Sequence, residues 1–307
     1  MAKLSRGELG EVLDDVGGPG LAIRIGALIR GESDSPLGGL ISGSLDLDKI
    51  EYLSRDARMC GVPYGAVDVD RLLASLTLVE SGPDRWEIGV HEKGISALES
   101  LLFAKYQMYR NVYWHHAVRS ATCMFKRAVR RAVADGVLTP AAIAEATDGS
   151  LMTALLAADP TGLAAQVQER RLFKRAVDVP ASDVTGAAQP WLSDDPDLLE
   201  RVEDAIAVEA GLRAGQLLLD FPVRASMLAV DLPLRTRSGA VERLTDAGRA
   251  GQLGLPKVAD ALYGSARRLR VFTEGRASAQ LDGLMALVAM PAAEVGRRLA
   301  ENAPLLR

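Results

Sequence analysis

The chain is poor in the residues that most often build metal centres and cross-links. Among 307 residues there are two cysteines and three histidines. Cys60 and Cys123 sit in neither a CxxC pair nor a Cys/His spacing, which argues against a zinc ribbon or a disulfide framework. Both are expected to be reduced, buried thiols. No apolar stretch approaches membrane-spanning length without charges. The opening MAKLSRGELGEVLDD lacks the apolar core of a signal peptide. The expectation is a cytoplasmic protein with no membrane partner. Nor is there an excess of positive charge. The net charge is −4, so nucleic acid is not indicated as a partner. A local basic patch can still hold phosphates, because net charge says little about one cleft. No internal repeat is visible.

What is present fits a soluble globular chain: 48% apolar and 25% charged residues, over a length that allows one large domain or two ordinary ones. Residues 7–15 and 20–30 read as short helices separated by Gly17-Gly18-Pro19-Gly20. They resemble the tail of a helical bundle, with apolar surface left exposed. A loop follows at 31–39, then a helix over 45–58, a turn over 61–65 and a short helix over 68–75. Strands are expected at 76–80 and 86–90, joined by a hairpin at 81–84. Apolar residues recur at helical spacing over 94–134, with no proline and no glycine after Gly94, which predicts one long helix. Thr139-Pro140 is an N-cap and N1 pair. Further helices are expected at 150–158, 161–176, 196–211, 256–266, 276–288 and 291–301, strands at 217–219, 226–230 and 269–272, and an exposed connection over 179–196.

Two stretches carry chemistry. On a helix over 45–56, Asp48, Tyr52 and Asp56 fall at i, i+4 and i+8 and share one face, flanked by Lys49. A carboxylate can hold a hard cation, an ammonium can pair with phosphate, and a phenol with a carboxylate can read a sugar hydroxyl. Spacing alone equally describes a solvated amphipathic helix with i, i+4 pairs. In AKYQMYRNVYWHH (104–116), Lys105, Tyr109, Tyr113 and His116 form a second stripe if the helix runs straight. It is suited to stacking a base and holding phosphates, or simply to packing half-buried tyrosines. His91, at the end of a strand, reads as a surface or packing histidine.

The strings are more specific than the spacings. ISGSLDLDKIEYLSRDARMCGVPYG (41–65) resembles the segment SGxLDxDKxDYLxRDxxxxGVxYG of the HD-superfamily deoxynucleoside triphosphate triphosphohydrolases, which include dGTPase-like enzymes. The second stretch resembles ARYxMYxxVYxHxxxR of the same family through Ala104, Tyr106, Met108, Tyr109, Val112, Tyr113, His115 and Arg119. The resemblance is sharp over about 40–120 and looser beyond 200, where LLLDFP, RSGAVERLTD and RRLRVF are similar to the family's C-terminal region.

That resemblance implies a mainly α fold, an HD-domain-like helical bundle incomplete at its N-terminus over 1–180, with a C-terminal α+β region over 181–307. It implies hydrolysis of a deoxynucleoside triphosphate to deoxynucleoside and triphosphate, a divalent metal such as Mg or Mn, and a homo-oligomer. Asp48 would ligate the metal and Lys49 the triphosphate. Tyr52 would line the pocket, and Asp56 would bind the 3′ hydroxyl. Lys105 would replace a phosphate-binding arginine, Tyr113 would pack on the sugar, and Tyr109 and His115 would complete the substrate-binding set. Glu51 stands where the family usually has aspartate, and His116 where it commonly has lysine.

The family's metal set is a histidine, a His-Asp pair and a later aspartate. None of the three histidines here precedes Asp48 and none is followed by aspartate. Three of the four ligands therefore have no counterpart, and they are expected upstream of Met1 or on another chain. The rival expectation is a nucleotide-binding or regulatory relic without catalysis.

Overall fold

The computed structural model describes Leu4 and residues 7–184, 188–222, 230–244, 255–275 and 281–306, the stretch 255–260 by its backbone alone. It is mainly helical, with seven described strands: β1 (Leu76–Gly82), β2 (Arg85–His91), β3 (Lys174–Pro180), β4 (Leu217–Asp220), β5 (Leu232–Arg235), β6 (Val241–Leu244) and β7 (Arg268–Thr273). This matches the expectation of a mainly α chain with α+β character towards the C-terminus. The chain forms two compact units, one of residues 1–109 and 226–260 and the other of 110–225 and 261–307.

In the first unit, helices Gly7–Gly17 and Leu21–Arg30 form as read, and leave Val16, Ile23 and Ile29 largely exposed. The helix Leu47–Met59 buries Ile50, Leu53 and Ala57. It starts two residues later than the pattern suggests, because Asp46 is its N-cap: the Asp46 carboxylate accepts from Lys49 N–H at 2.8 Å, which satisfies one of the first-turn donors. Gly61 ends the helix in the left-handed region (φ 65°), a conformation glycine adopts without a Cβ penalty. The following loop folds back so that Ser54 Oγ donates to Gly65 O at 3.0 Å. A Cβ on Gly65 would stand 2.4 Å from Ala57 Cβ and 2.8 Å from Leu53 O. Gly65→Ala is therefore expected to destabilise the protein by about 1–3 kcal/mol through overpacking. Urea unfolding measures this, and an unchanged midpoint would mean that the loop does not seat on the helix.

The β1–β2 hairpin forms as read and belongs to a sheet of order β1-β2-β5-β6, with β2 and β5 parallel. Strands β5 and β6 are additions to the sequence reading. Their four residues each are too few for periodicity to separate from loop.

In the second unit, the sheet β3-β7-β4 is antiparallel throughout. Alternate residues face opposite sides. Leu218 and Phe272 join Met124 and Ala128 of the helix His116–Ala134, while Leu217, Leu219, Leu269 and Val271 join Val202 and Ile206 of the helix Pro196–Glu209. The sheet is thus covered on both faces.

Four expectations need correction. The stretch 94–134 is not one helix. It runs as an α-helix over Ile95–Met108, a π turn over Tyr109–Tyr113, and a new α-helix from His116. No glycine or proline marks the break. Trp114 is buried and meets Tyr263 edge-on at 6.0 Å, and His115 takes an extended N-cap conformation. The helix expected at 161–176 is confined to Leu163–Gln168, because Lys174–Pro180 pairs with β7 instead; ladder pairing overrides weak local preference. The stretch 179–196 is not simply an exposed connection: Trp191 is buried and its Nε1 donates to Met290 O at 2.9 Å. Cys60 is exposed rather than buried. The strand expected at 226–230 and the start of the helix expected at 276 fall mostly outside the described residues.

Candidate functional site

The site begins with the helix Leu47–Met59. Its geometry places Asp48, Tyr52 and Asp56 on one stripe, as the spacing requires. Asp48 lies exposed in the first turn, where negative charge also suits the helix dipole. Tyr52 is half-buried; burial raises its phenol above the ordinary range, and Tyr109, Asp46, Asp56 and Asp48 add to this. That set of neighbours shows that the stripe and Tyr109, the first residue of the π turn, share one environment. Asp56 accepts from Arg55 Nη1 at 3.1 Å, while Arg55 also clasps Glu51 at 2.8 and 3.0 Å. The departure at Glu51 thus supplies an ordinary i, i+4 partner on the exposed side.

Lys49 is partly buried and pinned. Its Nζ donates to Gly43 O at 2.9 Å and pairs with Asp46 Oδ2 at 2.5 Å. Asp46 lies outside the Asp48-Tyr52-Asp56 stripe that the spacing predicts. Its signal was an N-cap aspartate three residues before a lysine, and it now serves as both cap and counter-ion. Lys105 is the deepest cation here, only 9% exposed. Burial lowers its pKa, the neighbouring Lys49 lowers it further, and Asp46 opposes both. Among the described residues no hydrogen bond or ion pair holds the Lys105 ammonium. Two lysines therefore share one carboxylate, and the deeper one has unused donors.

Tyr113 and His115 belong to the second unit. Tyr113 ends the π turn and is half-buried. His115 is exposed, and its Nδ1 accepts from Ala117 N–H at 3.4 Å as the cap of the helix His116–Ala134. His116 lies against it with ring centroids 4.2 Å apart. Because a π turn and a cap intervene, the straight-helix stripe Lys105, Tyr109, Tyr113 and His116 does not form as an i, i+4 series. π turns recur at functional sites, and this one carries two of the tyrosines of the motif.

The described residues do not make a metal centre by themselves. No group of three or more His, Cys, Asp or Glu among them is placed to hold an ion. Asp48 offers one exposed carboxylate, and a lone carboxylate does not hold a divalent cation tightly. No helix among the described residues is long and apolar enough to cross a membrane.

Comparison with known proteins places these residues in context. Residues 67–249 match the family described as HD associated region. Lys105, Tyr109, Tyr113 and His115 fall inside that match, and the stripe on Leu47–Met59 precedes it. Over 140 residues the chain is 39% identical to the uncharacterised protein MJ1154 of Methanocaldococcus jannaschii, a match covering 46% of this chain and 31% of that one. It is 38% identical over 93 residues to the uncharacterised protein YwfO of Bacillus subtilis, covering 30% and 20%. The chain thus spans about a third or less of the length of these relatives. A solved phosphohydrolase from Bacteroides thetaiotaomicron shares the fold, with a TM-score of 0.54 and 18% identity over 87% of this chain and 70% of that chain.

Proposed function

The chain belongs to the family described as HD associated region, and on that premise we propose that it is the nucleotide-phosphate-binding part of an HD-type hydrolase that splits a deoxynucleoside triphosphate into deoxynucleoside and triphosphate. The observation that carries this reading is the pairing of a buried, unengaged Lys105 with Lys49 beside the Asp48-Tyr52-Asp56 stripe. Buried cations persist where an anion compensates them, and two adjacent ammonium groups call for more than one negative charge. The phenol and carboxylate of Tyr52 and Asp56 supply the donor and acceptor that a sugar hydroxyl needs. Asp56 exchanges its bond with Arg55 for one with the ligand.

The residues present bind and orient. The metal of HD-type hydrolases needs ligands that the described residues do not contribute, so no catalytic step is assigned to them. The second reading is a nucleotide-binding chain without hydrolysis. Both readings are tested by incubating the chain with the four deoxynucleoside triphosphates and Mg or Mn and analysing products by mass spectrometry. Deoxynucleoside and intact triphosphate, lost in Asp48→Ala, support the hydrolase. Retained binding without products supports the second reading, and neither binding nor products overturns both. Asp56→Ala is expected to cost about 1–3 kcal/mol at the sugar, read as weaker discrimination between a nucleotide and its 3′-deoxy analogue. Equal discrimination before and after the change rejects that role.

A further inference from the structure

The helix His116–Ala134 carries Arg119, Cys123, Lys126 and Arg130 at i, i+4, i+7 and i+11, hence on one face. All four line a cavity of about 100 Å³ in the second unit, closed opposite by Glu203, Leu219 and Asp220. This is several times the roughly 10–15 Å³ that one water requires, and well below the roughly 300–1,000 Å³ of sites for larger ligands. Its size suits a small ion and excludes a whole nucleotide.

The charges lining it do not balance. Asp220 is committed elsewhere: Arg119 grips it through two nitrogens at 3.0 and 2.5 Å, and Arg270, its cross-strand neighbour on β7, stands at 3.7 Å. Glu203 accepts from Leu219 N–H at 2.8 Å and from Arg127 at 3.0 Å, which uses both its oxygens. Burial also raises its pKa to about 7, so it carries little charge under mildly acidic conditions. The cations are less well served. Arg130 reaches Glu200 only at 3.8 Å, a carboxylate it shares with Arg127 and Arg131. Its buried Nε has no hydrogen-bond partner among the described residues. Lys126 has neither an ion pair nor a hydrogen bond among them. The cavity therefore presents two cations with spare donors beside carboxylates that other donors already engage.

We propose that this cavity is a binding site for one tetrahedral oxyanion, inorganic phosphate or the terminal phosphoryl group of a small monoester, held by Lys126 and Arg130. A guanidinium and an ammonium together recognise such a group well, the first by its fork of donors and the second as a point charge. The site is separate in residues from Lys49 and Lys105 and does not depend on the role proposed for them.

The test is a thermal-denaturation titration of the whole chain with sodium phosphate, against sodium chloride at matched ionic strength. A saturable rise in the midpoint with phosphate alone is expected, persisting in Lys105→Met. Lys126→Ala, an exposed change that leaves the core intact, should weaken the apparent affinity about tenfold, and Arg130→Gln should remove the saturable response. Glycerol phosphate as competitor separates the two sources: displacement of phosphate assigns the monoester, and failure to displace assigns the free ion. An equal response to chloride, or a phosphate response unchanged in both Lys126→Ala and Arg130→Gln, overturns the proposal. If Arg130→Gln unfolds the protein, Lys126→Ala alone decides.

Discussion

Replacing Arg127 by alanine is expected to cost about 3–5 kcal/mol of stability, the range for removing one partner of a buried ion pair. Arg127 is almost fully buried, and it faces three carboxylates of the helix Pro196–Glu209. Nη1 donates to Glu203 at 3.0 Å, Nη2 to Asp204 at 2.7 Å, and Nε stands 3.3 Å from Glu200. Positions 200, 203 and 204 are one helical turn apart, so one guanidinium ties this helix to His116–Ala134. Without it, Glu203 is left buried beside two other acids.

The loss should depend on pH, and the sign follows from Glu203. Burial raises its pKa from 4.5 to about 7, while the Leu219 N–H and Arg127 pull it down. Between pH 4.5 and about 7 the folded state therefore binds more protons than the unfolded one. The stability contributed by this group falls as pH rises through that window. In Arg127→Ala the ionised form loses its counter-ion but the neutral form does not. The destabilisation should be larger at pH 8 than at pH 5.5, measured by urea unfolding at both. A cost independent of pH would mean that Glu203 does not change its protonation state between pH 5.5 and 8.

The second large effect is expected at Lys105. Lys105→Met keeps the length and apolar stem of the side chain but removes its charge. Charged hydrogen bonds contribute about 1.5–3 kcal/mol, so triphosphate affinity should fall on the order of 10- to 100-fold. Stability should move the other way. Burial and Lys49 lower the Lys105 pKa, so the unfolded state binds more protons than the folded one between that lowered value and 10.5. Stability should rise with pH across that window, and the methionine variant should be more stable than the parent at neutral pH and lose this dependence. Isothermal titration with a deoxynucleoside triphosphate and thermal denaturation read the two effects. Unchanged affinity would remove Lys105 from the site, and lower stability would mean that the ammonium has a partner in the fold.

The split between what the sequence determines and what it does not follows the range of the interactions. Local chemistry was legible. The cap at Thr139, the β1–β2 hairpin and the Asp48-Tyr52-Asp56 stripe depend on residues within a few positions of one another, and each formed as read. Asp46 is equally local, but helical spacing alone does not show that one carboxylate caps the helix and pairs with Lys49.

Tertiary structure decided the rest. The break at Tyr109–His115 has no glycine or proline to announce it; Trp114 is fixed by burial against Tyr263, about 150 residues away in sequence. Lys174–Pro180 became a strand because β7 offered a ladder, which no window of the sequence contains. The deep position of Lys105 beside Lys49, and the cavity over Arg130, come from helices packing at long separation. The sequence by itself determined which side chains share a helix face. Which of those faces were buried, and which charges were left without a partner, was set by long-range packing, because desolvation depends on neighbours that only the folded chain brings together.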